Sequence, residues 1–121
     1  MQDRAATSAD IEVLREAYEA FNAADFERVL TLMDPGVDWP NGWEGGRVLG
    51  REAVRSYWAR QFAELQSRVE PLDFRQESDG CIAVRVHQVA HDKSGKLLAD
   101  QVIEHVYRLQ NGLITRMDIR N

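Results

Sequence analysis

The chain has one cysteine, Cys81, which therefore cannot form a disulfide within it. Basic runs are missing too: 15 Lys and Arg against 20 Asp and Glu leave a formal charge of −5. That balance argues against nucleic acid and against an anionic membrane as partners, and a small neutral molecule or another protein fits better. No N-terminal apolar stretch resembles a signal peptide and none is long enough to span a bilayer, so a soluble cytoplasmic protein is expected. Internal repeats, low-complexity tracts and linkers are absent. At 121 residues the chain has the size of one domain, 1–121, able to bury about two-thirds of its unfolded surface without a metal or a crosslink. No cofactor is expected.

What the sequence does contain is a change of period. Residues 1–7 read as a tail, after which Thr7 or Ser8 can cap a helix whose apolar positions Ile11, Leu14, Tyr18 and Phe21 recur at helical spacing up to about Ala24. Asp25 suits the N-cap of a shorter helix with Phe26, Val29, Leu30 and Met33 inward, stopped by Asp34-Pro35-Gly36. Val37 to Pro40 is a short extended piece. Asn41 to Gly50, with four glycines, reads as a loop pinned by Trp43. A third helix is predicted from Arg51 to about Gln66, with Val54, Tyr57, Trp58, Phe62 and Leu65 on one stripe.

From Arg68 onward the period is two. The first long strand is predicted over Val69–Ser78, with Leu72 and Phe74 as its apolar face and Pro71 near its start or on an edge. Asp79-Gly80 signals a hairpin. In Cys81–Asp92, Ile82, Val84, Val86, Gln88 and Ala90 share one side, and Ala83, Arg85, His87, Val89 and His91 the other. A turn at Lys93–Lys96 leads to the central strand, Gln101–Leu109, whose more apolar face carries Ile103, His105 and Tyr107. A two-residue Ser94-Gly95 loop, or a four-residue loop closing Asp92 on Leu97, sets Val84 across from His105 and Val86 across from Ile103. The same register puts Arg85 across from Glu104, an opposite-charge pair.

The last strand, Leu113–Arg120, can pair in two ways. With a two-residue turn at Asn111-Gly112, Asp118 faces His105 as a carboxylate–imidazole dyad. With a three-residue turn, Met117 faces His105 and Asp118 points outward. The alternation favours the second, grouping Leu113, Thr115, Met117 and Ile119 as the apolar set and Ile114 with the polar one. The order helix, helix, short strand, helix and four strands defines an α+β fold, αα-β-α-ββββ, with a curled antiparallel sheet whose end the helices close.

In this order, the join FNAADFERVLTLMDPGVDW, the segment VLGREAVRSYW, the strand VRVHQV and the ending HVYRLQNGLITRMDI resemble the SnoaL-like branch of the nuclear transport factor 2-like superfamily, over almost the whole chain. That branch sits beside ketosteroid isomerases and polyketide cyclases. The resemblance implies a cone-shaped fold with its pocket between the third helix and the concave sheet face. It also implies that the isomerase's base carboxylate position is Trp39 here, with Asp38 adjacent, and that its oxyanion-hole aspartate position is His105. The isomerase's oxyanion-hole tyrosine falls at or next to Ala17, one step from Tyr18, and its helix-three aromatic falls on Trp58.

His105, an imidazole on a greasy face, is the leading candidate to donate a hydrogen bond or move a proton. Asp38 or Glu44 would assist it. The expected ligand wall is Tyr18, Phe21, Trp39, Trp43, Trp58 and Phe62, together with Val84, Val86, Gln88, Ile103, Tyr107 and Met117 from the sheet; Tyr57 could join it, and Gln101 could pair with Gln88. His87 and His91 share a face, but four residues of strand hold them about 13 Å apart, too far to share a metal. The outer sheet face, with Ala83, Val89, Val102, Val106 and Ile114 between charges, suggests a homodimer. The expected function is binding of a small hydrophobic molecule, with isomerase- or cyclase-type proton transfer; the alternative is a non-catalytic binding or dimerisation module.

Overall fold

The computed structural model describes residues 2–120. Two helices lead the chain, α1 (Gln2–Asn22) and α2 (Phe26–Thr31), followed by strands β1 (Met33–Pro40) and β2 (Arg47–Leu49). Helix α3 (Arg51–Glu64) precedes four long strands, β3 (Leu65–Gln76), β4 (Ile82–Asp92), β5 (Leu97–Gln110) and β6 (Leu113–Arg120). They form one six-stranded sheet ordered β2-β1-β6-β5-β4-β3, curved and unclosed. The backbone of α1 begins at Gln2, so the expected tail is helical; the cap sought at Thr7 or Ser8 concerns side chains outside the described residues.

Helix α2 is short because its N-cap and its exit lie close together. Asp25 accepts the Arg28 backbone N–H, and Asp34 accepts that of Gly36 at 2.8 Å, turning the chain into β1. Met33, expected on this helix, is already a strand residue and fully buried. β1 runs parallel to β6, Met33 against Ile114 and Asp38 against Arg116, so the sheet is mixed rather than antiparallel. The glycine-rich loop hides a strand: Arg47, Val48 and Leu49 pair with Pro40, Trp39 and Asp38. Gly45 and Gly46 supply the positive φ values, 90° and 83°, that close this hairpin.

β3 starts at Leu65, four residues earlier than its hydrophobic pattern suggests, because the inward position Ser67 is polar and masks the alternation Leu65, Ser67, Val69. A bulge between Pro71 and Asp73 then pushes Leu72 out of the expected apolar face to 43% exposure. Pro71 is tolerated because β3 is an edge strand.

The predicted β4–β5 register is correct: Ile82 lies against Tyr107, Val84 against His105, Val86 against Ile103 and Gln88 against Gln101. Its turn differs from both versions expected, since Asp92 N–H closes on Lys96 C=O around three residues and a bulge restores phase near His91. Arg85 does face Glu104 in register, yet it bonds Asp73 at 2.9 Å, while Glu104 accepts from Arg75 and Arg120.

At β6 each alternative is half right. The turn has two residues, Gln110 pairing with Leu113, but a bulge at Thr115 between the Leu109–Ile114 and Arg108–Arg116 pairs advances the strand by one. Tyr107 therefore faces Met117, His105 faces Ile119, and Asp118 stands outside opposite Val106. The bulge also turns Ile114 inward, where it is fully buried, correcting its assignment to the polar face. It joins Leu14, Leu30, Val37, Val54, Val84 and Val86 in a core closed by the helices. Each of these side chains contributes about 1.5–3 kcal/mol by leaving water.

Candidate functional site

Between this core and the open end of the sheet lies a cavity of about 300 Å³. Helix α1 contributes Tyr18 and Phe21 to its wall, α3 contributes Tyr57 and Trp58, and β5 contributes Ile103, His105 and Tyr107. Alternation along β1 puts Val37 and Trp39 inward and Asp38 on the opposite face. Trp39 meets Trp58 edge-on at 5.8 Å and Tyr107 at 6.3 Å. Trp43, 39% exposed, stands in the hairpin loop at the rim. All three tryptophans of the chain thus face one space. Its loop is held by Asn41, whose Oδ1 accepts the backbone N–H groups of Trp43 and Glu44.

At the floor, three buried polar side chains form a line. Tyr107 donates its hydroxyl to Tyr18 Oη at 2.9 Å, and Tyr18 Oη lies 2.7 Å from His105 Nδ1. Among the described residues, no protein group bonds His105 Nε2, and the imidazole lines the cavity. Burial strips the imidazolium of water and lowers the His105 pKa from its ordinary 6.5 to about 4, so the ring is neutral at physiological pH. Burial likewise pushes Tyr18 and Tyr107 well up, and holds Tyr57 up at about 12. Every hydroxyl here is therefore a donor.

No Asp, Glu, Lys or Arg among the described residues lines this cavity. Its remaining polar groups are amides and one hydroxyl: Gln61 on α3, Ser67 on β3, Gln88 on β4 and Gln101 on β5. Gln101 Nε2 donates to Gln88 Oε1 at 2.9 Å, as expected of that pair, and Gln88 Nε2 reaches Ser67 Oγ at 3.4 Å. A wall of aromatic surface with neutral polar groups at intervals suits an uncharged molecule, because a buried charge would find no counter-charge.

Of the residues expected at the ligand wall, the structure brings Tyr18, Phe21, Trp39, Trp43, Trp58, Gln88, Ile103, His105, Tyr107 and Met117 to this cavity. Asp38 is not there. It accepts from Arg47 Nε at 2.7 Å and Arg116 Nη1 at 2.9 Å on the outer side of β1. Glu44 accepts from Asn41 at 3.0 Å and lies near Arg60, also away from the cavity. Phe62 stacks on Phe26 behind the wall, and Val84 and Val86, fully buried, lie beneath it. Gln61, Ser67 and Val69 were missed as wall residues. Gln61 could have been found one turn beyond Tyr57 and Trp58; Ser67 required the earlier start of β3, and Val69, inside the predicted strand, alternates onto the face opposite Leu72 and Phe74 unless the bulge between Pro71 and Asp73 is known.

His87 bonds Asp100 at 2.7 Å on the exposed face, apart from His91. Among the described residues, no group of three or more His, Cys, Asp or Glu could hold a metal, and no helix is long and apolar enough to cross a membrane.

Solved structures share this architecture. A protein of unknown function from Burkholderia pseudomallei K96243, described as NTF2-like, is 24% identical with a TM-score of 0.81, over 93% of this chain and 89% of that one. TerC, co-crystallised with polyporic acid, is 26% identical with a TM-score of 0.80, over 92% and 89%. RV0760c from Mycobacterium tuberculosis, in complex with estradiol-17beta-hemisuccinate, is 22% identical with a TM-score of 0.78, over 90% of each chain. No curated protein matches the chain. The sequence model of the family described as SnoaL-like domain spans residues 14–117, from the first buried leucine of α1 to the methionine opposite Tyr107, and the chain belongs to that family.

Proposed function

We propose that the cavity binds a small, neutral, largely apolar molecule and that His105 Nε2 donates a hydrogen bond to an oxygen on it. The observation that carries this is the Tyr107–Tyr18–His105 line, which ends in an uncharged cavity. Because Tyr107 donates to Tyr18, the Tyr18 proton is free to go to Nδ1, leaving the single proton of the neutral imidazole on Nε2. TerC with polyporic acid and RV0760c with estradiol-17beta-hemisuccinate support a small hydrophobic ligand; that it is neutral rests on the uncharged lining of this cavity.

A donor in a dry site polarises a carbonyl, the half of isomerase or cyclase chemistry that stabilises negative charge. The other half, a base, finds no carboxylate in the cavity among the described residues. His105 is a weak base, since burial holds its pKa near 4 and an imidazolium formed by taking a ligand's proton would be buried without a counter-charge. Binding with carbonyl polarisation is therefore the reading favoured over proton abstraction. We also propose a homodimer through the outer sheet face, where Val102 is 55% exposed.

Because Trp39, Trp43 and Trp58 all line the cavity, intrinsic fluorescence reports its occupancy. Titration with a neutral aromatic ketone such as benzophenone should quench saturably, and His105→Phe should weaken binding about three- to tenfold, the share of one hydrogen bond. Absence of saturation, or equal affinity in the variant, counts against the reading. Product formed from a ketone during the same incubation would restore the enzymatic alternative.

A further inference from the structure

We infer that the cavity has a second oxygen-binding site at its mouth, built by Ser67, Gln88 and Gln101, so that its ligand is an elongated neutral molecule carrying an oxygen at each end. The inference rests on the reading that the cavity is a ligand pocket. The three residues come from three adjacent strands, Gln88 directly opposite Gln101, and all line the cavity. Their mutual bonds use one N–H of Gln101, one lone pair and one N–H of Gln88, and one lone pair of Ser67. That leaves the Gln101 carbonyl, the Ser67 hydroxyl proton and the second N–H of each amide without a protein partner among the described residues. Donors and acceptors are both on offer, which suits a hydroxyl or a carbonyl alike.

The spacing sets the length of the ligand. Gln101 and His105 share one face of β5 four residues apart, about 13 Å along the strand. Gln101 is exposed at the mouth and His105 is buried at the floor, with Ile103 on β5 between them. A flat, ring-built molecule entering lengthwise would place one oxygen on Nε2 and the other on the amide row, while the tryptophans cover its apolar middle.

The test uses three probes that differ only in oxygen: biphenyl, para-hydroxybiphenyl and the hydroxybiphenyl substituted at both para positions. Tryptophan quenching should show each added hydroxyl tightening binding about three- to tenfold. Gln101→Leu, at the exposed mouth, and separately Ser67→Ala, should erase the gain from the second hydroxyl and keep the gain from the first; because the monohydroxy probe can enter either way round, His105→Phe should also keep one hydroxyl's gain, and combining His105→Phe with Gln101→Leu should erase both. Equal affinity of wild-type protein for the mono- and dihydroxy probes overturns the second site and leaves the pocket standing. A second-hydroxyl gain that survives in both mouth variants overturns the assignment to these residues. Failure of all three probes to bind removes the pocket reading itself, and the second site with it.

Discussion

The Tyr18 hydroxyl sits 2.7 Å from His105 Nδ1, although 87 positions separate the two residues. This bond joins the first helix to the central strand at the floor of the cavity, and Tyr107 completes it from the same strand. Removing the Tyr18 hydroxyl strands two buried polar groups at once. Tyr18→Phe should lose about 1–3 kcal/mol of stability in urea denaturation, because unsatisfied buried groups cost more than a bond returns. It should also release the Nδ1 tautomer and weaken ketone binding; a variant as stable as wild type would show that the line carries no load in the folded state.

Stability should depend on pH through His105. In the unfolded chain the imidazole titrates near 6.5, and in the folded chain near 4. Between those values the unfolded chain binds more protons, so the contribution is present in full above about pH 6.5 and declines as pH falls toward 4. Integrated over that window the effect is about 3 kcal/mol. His105→Phe removes the group, so a plot of wild-type minus variant unfolding free energy should slope upward from pH 4 to 6.5 and then flatten. A difference that stays constant across the window would mean that the imidazole is solvated in the fold.

Asp38→Asn separates the two places a carboxylate could act. In the structure Asp38 ties Arg47 and Arg116 together outside the cavity, with its side chain 26% exposed. The variant should lose about 1 kcal/mol of stability and become less sensitive to salt, while its affinity for neutral ketones stays within about twofold of wild type. A much larger loss of affinity would place Asp38 at the ligand after all.

These residues also mark what was legible in the sequence. Alternation alone turned His105, Tyr107 and Val84 inward, because a one-residue slip would expose a whole apolar face. It failed wherever a bulge breaks the period. Thr115 shifted Met117 from His105 to Tyr107, and Leu72 left the face it was assigned to, since a bulge is set by local backbone geometry and carries no distinct residue pattern. β2 was lost among glycines, because a three-residue strand has too few side chains to show a period. The Tyr18–His105 bond was invisible for a different reason: it depends on how α1 packs on the sheet, a tertiary distance that local pattern does not encode. The mouth amides were half seen, Gln88 with Gln101 by register, but not Ser67, whose strand begins earlier than its hydrophobic residues.

The outer sheet face is where burial within the chain narrows the case for a dimer. Ala83 is fully buried and Ile114 points inward, while Arg75, Arg120, Glu77 and Glu104 form an ion-pair network over this side of the sheet. What remains exposed is Val102 at 55%, with Leu97 at 52% and Leu98 at 44% toward the β4–β5 hairpin. If a second copy docks on this face, Val102 lies inside the contact, and an aspartate there would be desolvated without a partner. Sedimentation equilibrium at micromolar concentration should then give a dimer for wild type and a monomer for Val102→Asp, with ketone binding intact in both because Val102 lies off the cavity wall. A monomeric wild type, or a variant that stays dimeric, would mean that this face does not join two copies.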